Sequence, residues 1–426
     1  MAFVPKERKS LLSSQARIQA PWIKVTIGKY TFGVFGKGKG AGAKDSYGFY
    51  EQFKIQYPSY VKSLNIIKIN GQVNQYTLVL DYPVRQTDDP NLIEKILSSV
   101  TTTRKIVFSY GDAMTPAYIY KDEEALITGV TQSFNLESGV ITYTIKAVSG
   151  AALAASGSFT FIHSSPVKPS DEIKRIFKNN SMYGLKKIFT GMNESNMNQL
   201  IDGTDQAVML DPKVNISPLD YITYLASCMI PAGSSQDDRT KDIYILTIHD
   251  ESVFDTTYDN AYSGPYFKVT RTSTTITNKT DAYEIDIGYN TSTIVSSFTI
   301  ENNENYSLLY DYNAELSTET YSHRINDKGE WERVYSPMFT SGNDKFLTRT
   351  EDRTWFTKLT KYPISATIKV QGLLRPATLM QYVRLNVIFP GGNKHISSGL
   401  YIVTRQEDNI SSVGYHTTLG LTRISD

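Results

Sequence analysis

The C-terminal part of the chain alternates apolar and polar positions in four short runs separated by turn residues. Alternation with a period of two is typical of β-strands that bury one face and expose the other. The runs therefore predict an antiparallel meander with one polar face. They lie at 364–372, 383–389, 398–403 and 414–423.

The N-terminal third shows the same alternation, interrupted by one helical pattern. Asn70-Gly71 between two alternating runs is a hairpin signal. Asp88-Asp89-Pro90 can cap a helix and fill its first turn, and the apolar residues from Leu92 to Val100 recur at helical spacing. Strands are predicted at 23–28, 61–69, 76–80, 105–110, 126–134 and 140–148.

The middle of the chain changes to helical spacing. Ser164-Ser165-Pro166 marks a boundary, and Ser170 then begins a helix with Ile173, Ile176 and Phe177 on one stripe. Ser217 is a second start signal, with apolar residues at helical spacing from Leu219 to Met229. A strand is predicted after them at 242–248.

These patterns predict a mainly β chain of the α+β type, with two antiparallel β-barrel or sandwich domains and a small helical subdomain between them. Residues 313–355 read as a long polar insertion, the kind of segment that usually contacts partners. The expected divisions are an N-terminal arm at 1–21, a first β domain at 22–162, a helical subdomain at 163–232, a mixed connecting segment at 233–280 and a second β domain at 281–426.

The two predicted β domains also resemble each other. Residues 129–134 followed by 140–145 parallel residues 399–403 followed by 415–421, since each is a strand that returns as a hairpin. We interpret this as a weak internal repeat.

Composition excludes several function classes. The formal net charge of +1 over 426 residues creates no overall field that would attract nucleic acid or anionic lipid. The 29 Tyr and 18 Phe favour a β-rich protein. The one cysteine, Cys228, lies in an apolar helical pattern and predicts a buried thiol, which fits assembly in a reducing cytoplasm. No apolar run is long enough to predict a transmembrane segment, and the basic start is not a signal peptide.

Candidate chemistry is sparse. The Gly/Lys-rich segment 36–44 lacks the Ser or Thr of a phosphate-binding loop and does not open a helix, so we interpret it as a surface loop that can dock on a neighbouring protein. The five histidines have no second His or Cys at metal-ligand spacing. We therefore predict no catalytic residue, no cofactor-binding residue and no metal ligand, and we predict that the protein is not an enzyme.

The chain ends in a pair of strands that resembles a known family. Ser398-Gly399-Leu400-Tyr401-Ile402-Val403, the turn Asp408-Asn409-Ile410-Ser411 and Gly414-Tyr415-His416-Thr417-Thr418-Leu419-Gly420-Leu421-Thr422-Arg423 resemble the closing strands of phage tail baseplate hub proteins. Related strands occur in siphophage tail-tip proteins and contractile injection systems. The family often has His before the "x-I-S" of this turn, whereas this chain has Asp408.

The resemblance implies two tail-tube-like β domains per chain and a homotrimer that joins a sixfold tail tube to a threefold spike or tip. It implies partners among the tail tube protein, the central spike or tail-tip protein, the tape measure protein and other baseplate proteins. DNA would pass through the central channel without specific binding. The expected location is the virion tail, assembled in the host cytoplasm.

Two alternatives remain open from the residues. A carbohydrate-binding or adhesive β protein could use Trp331, Trp355 and clustered Tyr residues as platforms for sugars. A glycosidase could use the alternating carboxylates Glu284 and Asp286. Glycan binding by the isolated chain and loss of hydrolysis on mutation, respectively, distinguish these functions from a hub.

Overall fold

The computed structural model confirms a mainly β chain. It describes residues 21–35, 60–84, 89, 91–99, 105–112, 120–178, 185, 189, 192, 194–232, 244–250, 252–253, 265–271, 283–288, 295–302, 321–325, 331–335, 364–371, 379, 382–411 and 414–425. Among these residues, no helix is long and apolar enough to cross a membrane.

The first β unit contains seven strands and one helix. The predicted helix is present as α1, Leu92–Ser99, and it packs on the sheet through Ile93 and Ile96. The strands are β1 Pro21–Ile27, β2 Tyr30–Phe35, β3 Val61–Ile69, β4 Gln75–Pro83, β5 Lys105–Asp112, β6 Tyr120–Asn135 and β7 Val140–Ser149.

The connecting unit follows and has its own core, which runs from Ala151 to Val269. Its helix at Pro218–Cys228 starts as predicted, because the Ser217 side chain accepts a hydrogen bond from the Asp220 N–H. Cys228 is buried, as predicted. The elements are a 3-10 helix Gly150–Ala155, β8 Phe159–Phe161, α2 Pro169–Lys178, α3 Glu194–Leu200, β9 Lys213–Ile216, α4 Pro218–Cys228, β10 Tyr244–His249, β11 Ser252–Val253 and β12 Tyr266–Arg271.

The second β unit supplies the last eight strands. They are β13 Tyr283–Gly288, β14 Val295–Asn302, β15 Tyr321–Ile325, β16 Trp331–Tyr335, β17 Ile364–Gln371, β18 Tyr382–Ile388, β19 Gly399–Ser411 and β20 Gly414–Ser425. The four closing runs are strands, and the predicted meander is confirmed for β18, β19 and β20, which pair antiparallel in sequence order. It is wrong for β17, which does not pair with β18, and the predicted turn at 408–411 is the end of β19. β17 pairs with β20, and β18 pairs with β19 and in parallel with β13. Because β19 and β20 are long, they offer edges to partners that are distant in sequence.

One sheet joins the two β units. Its order is β14-β17-β20-β19-β3-β4-β7-β6-β5-β1-β2, and β19 of the second unit pairs antiparallel with β3 of the first from Arg405↔Ile69 to Ser411↔Ser63. The core of the first unit accordingly includes Ile410 and Tyr415. We refer to the β19–β3 pairing as the seam.

The turn between β3 and β4 is where the three units meet. Gly71 has φ +69°, which the predicted Asn70-Gly71 hairpin requires. The Asn70 N–H donates to the Thr404 carbonyl of the second β unit at 3.1 Å, and the Gly71 N–H donates to the Leu246 carbonyl of the connecting unit at 2.9 Å.

The internal repeat is clear in the topology. The first unit contains the strand order β3-β4-β7-β6, and the second contains β14-β17-β20-β19, so each reads first, second, fourth, third. β6 has a bulge between Ile127 and Gly129, and β19 has one between Val403 and Arg405. The structure thus aligns Gly129 with Arg405, whereas the sequence comparison aligned it with Gly399. The sequence comparison could not find this alignment, because it depends on the positions of the two bulges. A bulge of this kind has no characteristic residue pattern.

Candidate functional site

The eight strands β14-β17-β20-β19-β3-β4-β7-β6 form a continuous wall whose two faces differ in chemistry. Neighbours in this order are all antiparallel. Residues opposite each other across a pair share a face, and alternate residues along a strand change face. One face therefore collects the core residues of both units, and we call the other the polar face.

Hydroxyl and amide side chains dominate the polar face. The register places Ser133 opposite Thr142, Thr131 opposite Thr144, Asn65 opposite both Thr77 and Asn409, and Thr299 opposite Thr367. These side chains are exposed or half-buried. Aliphatic side chains on this face include Ile67, Ile69 and Val79 near its centre, and Val148 opposite Gln75.

Charges on the polar face are mixed in sign. Arg405 lies 3.1 Å from Glu407, and Lys62 beside the face lies 3.0 Å from Asp81. Exposed ion pairs such as these contribute little stability, but they prevent one sign from accumulating. The charged side chains on the face include Asp81, Lys146, Glu301, Lys369, Arg405 and Glu407.

His416 also lies on this face and adds no charge near neutral pH. Partial burial and the nearby charge of Lys369 lower its pKa below the usual value for histidine. The polar face therefore presents a hydrogen-bonding surface without a strongly positive region.

Behind the polar face, the seam holds a buried hydrogen-bond network centred on Asp408. The carboxylate is fully buried and accepts hydrogen bonds from Gln406 Nε2 at 2.5 Å, Thr417 Oγ1 at 2.6 Å and Tyr415 OH at 3.1 Å. Burial raises the pKa of Asp408, and these three donors together with the charge of Lys68 oppose the shift.

The network continues from the seam into the first β unit. Lys68, opposite Gln406 in the register, contacts Glu123 of β6 at 2.6 Å, and both side chains are buried. Tyr76 and Tyr110 donate to the same carboxylate, each at 2.9 Å. Buried charges need such partners, because an isolated ion inside a protein is very costly.

A third buried carboxylate connects the network to the connecting unit. Asp250 follows β10 and accepts hydrogen bonds from Ser149 Oγ at 2.5 Å and Asn74 Nδ2 at 2.6 Å. Tyr76 OH lies 3.3 Å from the same carboxylate. The Asp250 contacts therefore join the first β unit to the connecting unit. Across the seam itself, Asn65 Nδ2 donates to Glu407 at 3.0 Å, and the charge of Lys68 acts on Asp408.

Sequence reasoning did not identify Asp408, Glu123 or Asp250. Asp408 carried the only signal, since it stands where the resembling family often has His. Glu123 lies in a charged stretch before the predicted strand 126–134, and only the fold shows that it belongs to β6 and is buried.

The predicted candidate residues do not converge on one site. Asp286 accepts a hydrogen bond from Asn386 Nδ2 at 2.8 Å, and Glu284 lies opposite Arg384 in the register. Among the described residues, no group of acidic, His or Cys side chains could hold a metal ion. Trp331 begins β16, whereas Trp355 and the segment 36–44 lie outside the described residues.

Comparison with solved structures gives matches to phage tail proteins. A tail protein from Neisseria meningitidis MC58 matches at 9% identity and a TM-score of 0.48, with 95% of this chain and 96% of that chain covered. A 43 kDa tail protein of prophage MuSo2 from Shewanella oneidensis matches at 9% identity and a TM-score of 0.49, with 95% and 100% covered.

A solved complex that contains a VgrG protein is also matched. A Francisella PdpA-VgrG complex matches at 10% identity and a TM-score of 0.46, covering 99% of this chain and 61% of that chain. No family model matches the sequence, and no curated protein matches it either. The likeness thus concerns the arrangement of strands at very low identity.

Proposed function

We propose that this chain is the structural hub of a phage tail baseplate, a homotrimer that joins the tail tube to the central spike or tip. The observation that carries the proposal is the wall, since one chain contains two copies of a four-strand unit joined edge to edge. Three chains would present six such units around one axis, which reconciles a sixfold tube with a threefold spike.

The polar face is the surface that suits the channel. Strands in a sheet twist and coil, so a long wall bends around one of its faces. The other face is occupied by α1 and the cores of both units, and it therefore has to lie outside the ring. This orientation leaves hydroxyl, amide and balanced charged groups toward the lumen.

The chemistry of this face fits passage of DNA without retention. Binding to a phosphate backbone comes mainly from Lys and Arg that release counterions. Here Arg405 is paired with Glu407, and neighbouring hydroxyl groups carry no net charge. DNA would therefore cross the ring without specific contacts.

The proposed partners are the tail tube protein above, the spike or tail-tip protein below, and the tape measure and other baseplate proteins. The ring would assemble in the host cytoplasm and remain in the virion tail. Its role is structural, and the interfaces between subunits would be large and permanent.

Native mass spectrometry of the purified full-length chain tests the proposal. We expect a trimer at micromolar concentration and, after addition of the tail tube protein, end-to-end complexes visible by electron microscopy. A chain that remains monomeric and ignores tube and spike proteins would contradict the function.

A further inference from the structure

The internal repeat leaves one strand edge without the partner that its counterpart has. In the second unit, β19 uses one edge for β20 and divides the other edge between two strands. Residues 399–402 pair with β18, and residues 405–411 pair with β3 of the first unit. The bulge after Val403 separates the two segments.

β6 has the same construction in the first unit, up to its bulge. One edge pairs with β7, and the first half of the other edge pairs with β5 from Tyr120 to Leu126. After the bulge at Ile127, no described strand pairs with the outer edge of residues 128–135. The position that β3 occupies beside β19 therefore has no described occupant beside β6.

The side chains of residues 128–135 are typical of a strand edge that is paired with another strand. Val130 and Phe134 lie on the core face, opposite Ile145 and Ile141 of β7, and they are 40% and 54% exposed. Residues 128–135 contain no charged side chain. Proteins commonly protect exposed strand edges with charges or proline, so an uncharged edge with exposed apolar groups indicates pairing with another chain.

A matching strand lies at the opposite end of the wall. β14 is the counterpart of β3, because both are first strands with a bulge near the start, at Val295/Ser297 and Val61/Ser63. Among the described strands β14 pairs only with β17. Its outer edge corresponds to the edge of β3 that the seam occupies.

The direction of the strands is also compatible. The wall alternates strictly through its eight strands, so β14 and β6 run in opposite directions. Rotation about a ring axis leaves the direction of each strand relative to that axis unchanged. The β6 end of one copy therefore meets the β14 end of the next as an antiparallel pair, which is a head-to-tail contact that closes a ring.

We propose that residues 130–135 of β6 pair with β14 of a second copy of this chain, in the register of the β19–β3 seam. The register between copies follows when the bulge of β6 is superposed on that of β19, and the bulge of β14 on that of β3. Opposite pairs are Thr131 with the partner's Glu301, Gln132 with the partner's Ile300, Ser133 with the partner's Thr299, Phe134 with the partner's Phe298, and Asn135 with the partner's Ser297.

This register keeps each face of the wall chemically continuous. Phe134 meets the partner's Phe298, a half-buried side chain already packed on the core of the second unit. An aromatic pair directly across two strands is a favourable contact. Ser133 meets the partner's Thr299 on the polar face, where both side chains are exposed. A shift by one residue would place Phe134 against polar groups.

Cysteine cross-linking of the full chain tests the register, and the inference rests on the proposed hub function. Ser133→Cys combined with Thr299→Cys should form disulfides between copies under mild oxidation, giving covalent dimers and trimers on a non-reducing gel. A mixture of the two single variants should give dimers alone. Cys228 is 2% exposed and adds little background.

The matched control is Ser133→Cys combined with Glu301→Cys, which places the thiols two residues out of register. Diagonal neighbours lie about 7–8 Å apart across a pair, beyond disulfide reach. We expect no cross-link from this control. Equal or better cross-linking of the control would overturn the register.

A charge at the interface gives a second readout by native mass spectrometry. Phe134→Lys should convert the oligomer to monomer, whereas Ile162→Lys on the connecting unit, at a residue that is 68% exposed, should leave the oligomer intact. If the wild type is oligomeric but neither Phe134→Lys nor the cysteine pair behaves as expected, the edge pairing is wrong and the hub proposal stands. A monomeric wild type would overturn both.

Discussion

At the scale of single residues, the seam depends on how Asp408 is solvated by protein groups. Thr417, Gln406 and Tyr415 replace the water that the carboxylate would have in an unfolded chain. Burial outweighs these donors and raises the pKa, so the folded protein binds a proton on Asp408 more tightly than the unfolded chain does.

This shift predicts a pH dependence of stability. The unfolded carboxyl loses its proton near pH 3.8, while the folded one keeps it to higher pH. The contribution of Asp408 is therefore complete below pH 3.8 and decreases as pH rises through the folded pKa. Asp408→Asn removes the titration and one acceptor, at a cost of about 1–3 kcal/mol.

We expect the difference in melting temperature between wild type and Asp408→Asn to narrow as pH rises from 4 to 8. Thr299→Ala, at an exposed position of the polar face that carries no titratable group, is a control that should show no such narrowing. A difference that widens with pH would mean that the ionised carboxylate is the stabilised form.

At the scale of elements, the residue pattern correctly predicted helices and turns whose formation depends on residues within the element itself. Ser217 before an apolar stripe predicted α4, and Asn70-Gly71 predicted the β3–β4 turn. The pairing of β19 with β3 could not be predicted in this way. Asn65 Nδ2 bonds Glu407 across 342 positions of the chain, and alternation gives no information on which edge meets which.

The parallel β13–β18 pair makes a prediction at this scale. Gly288 has φ +140°, and a Cβ there would lie 1.9 Å from the Ile388 carbonyl oxygen. Gly288→Ala should therefore cost about 1–3 kcal/mol from backbone strain alone, and more from the clash. Gly150→Ala is the control, since a Cβ there meets nothing within 4 Å.

Urea unfolding followed by tryptophan fluorescence measures both variants. We expect the midpoint to fall for Gly288→Ala and to remain within experimental error for Gly150→Ala. Equal midpoints would show that the end of β13 can move away from β18 at no cost.

At the scale of the whole molecule, the eight-strand wall has two faces that differ in chemistry. The core face is buried by α1 and by the two cores, whereas the polar face keeps hydroxyl, amide and mixed charged groups exposed from β14 to β6. Composition predicted the absence of an overall field, since the net charge is +1. Only the register shows that the charges on this face are also mixed in sign.

Cryo-electron microscopy of the assembled wild-type protein tests most directly whether the polar face lines the channel of a ring. We expect a threefold ring in which three eight-strand walls form one continuous cylinder, with Thr144, Asn65 and Thr367 pointing into the central channel. A map in which these side chains face outward, or in which the subunits meet through other surfaces and enclose no channel, would contradict it.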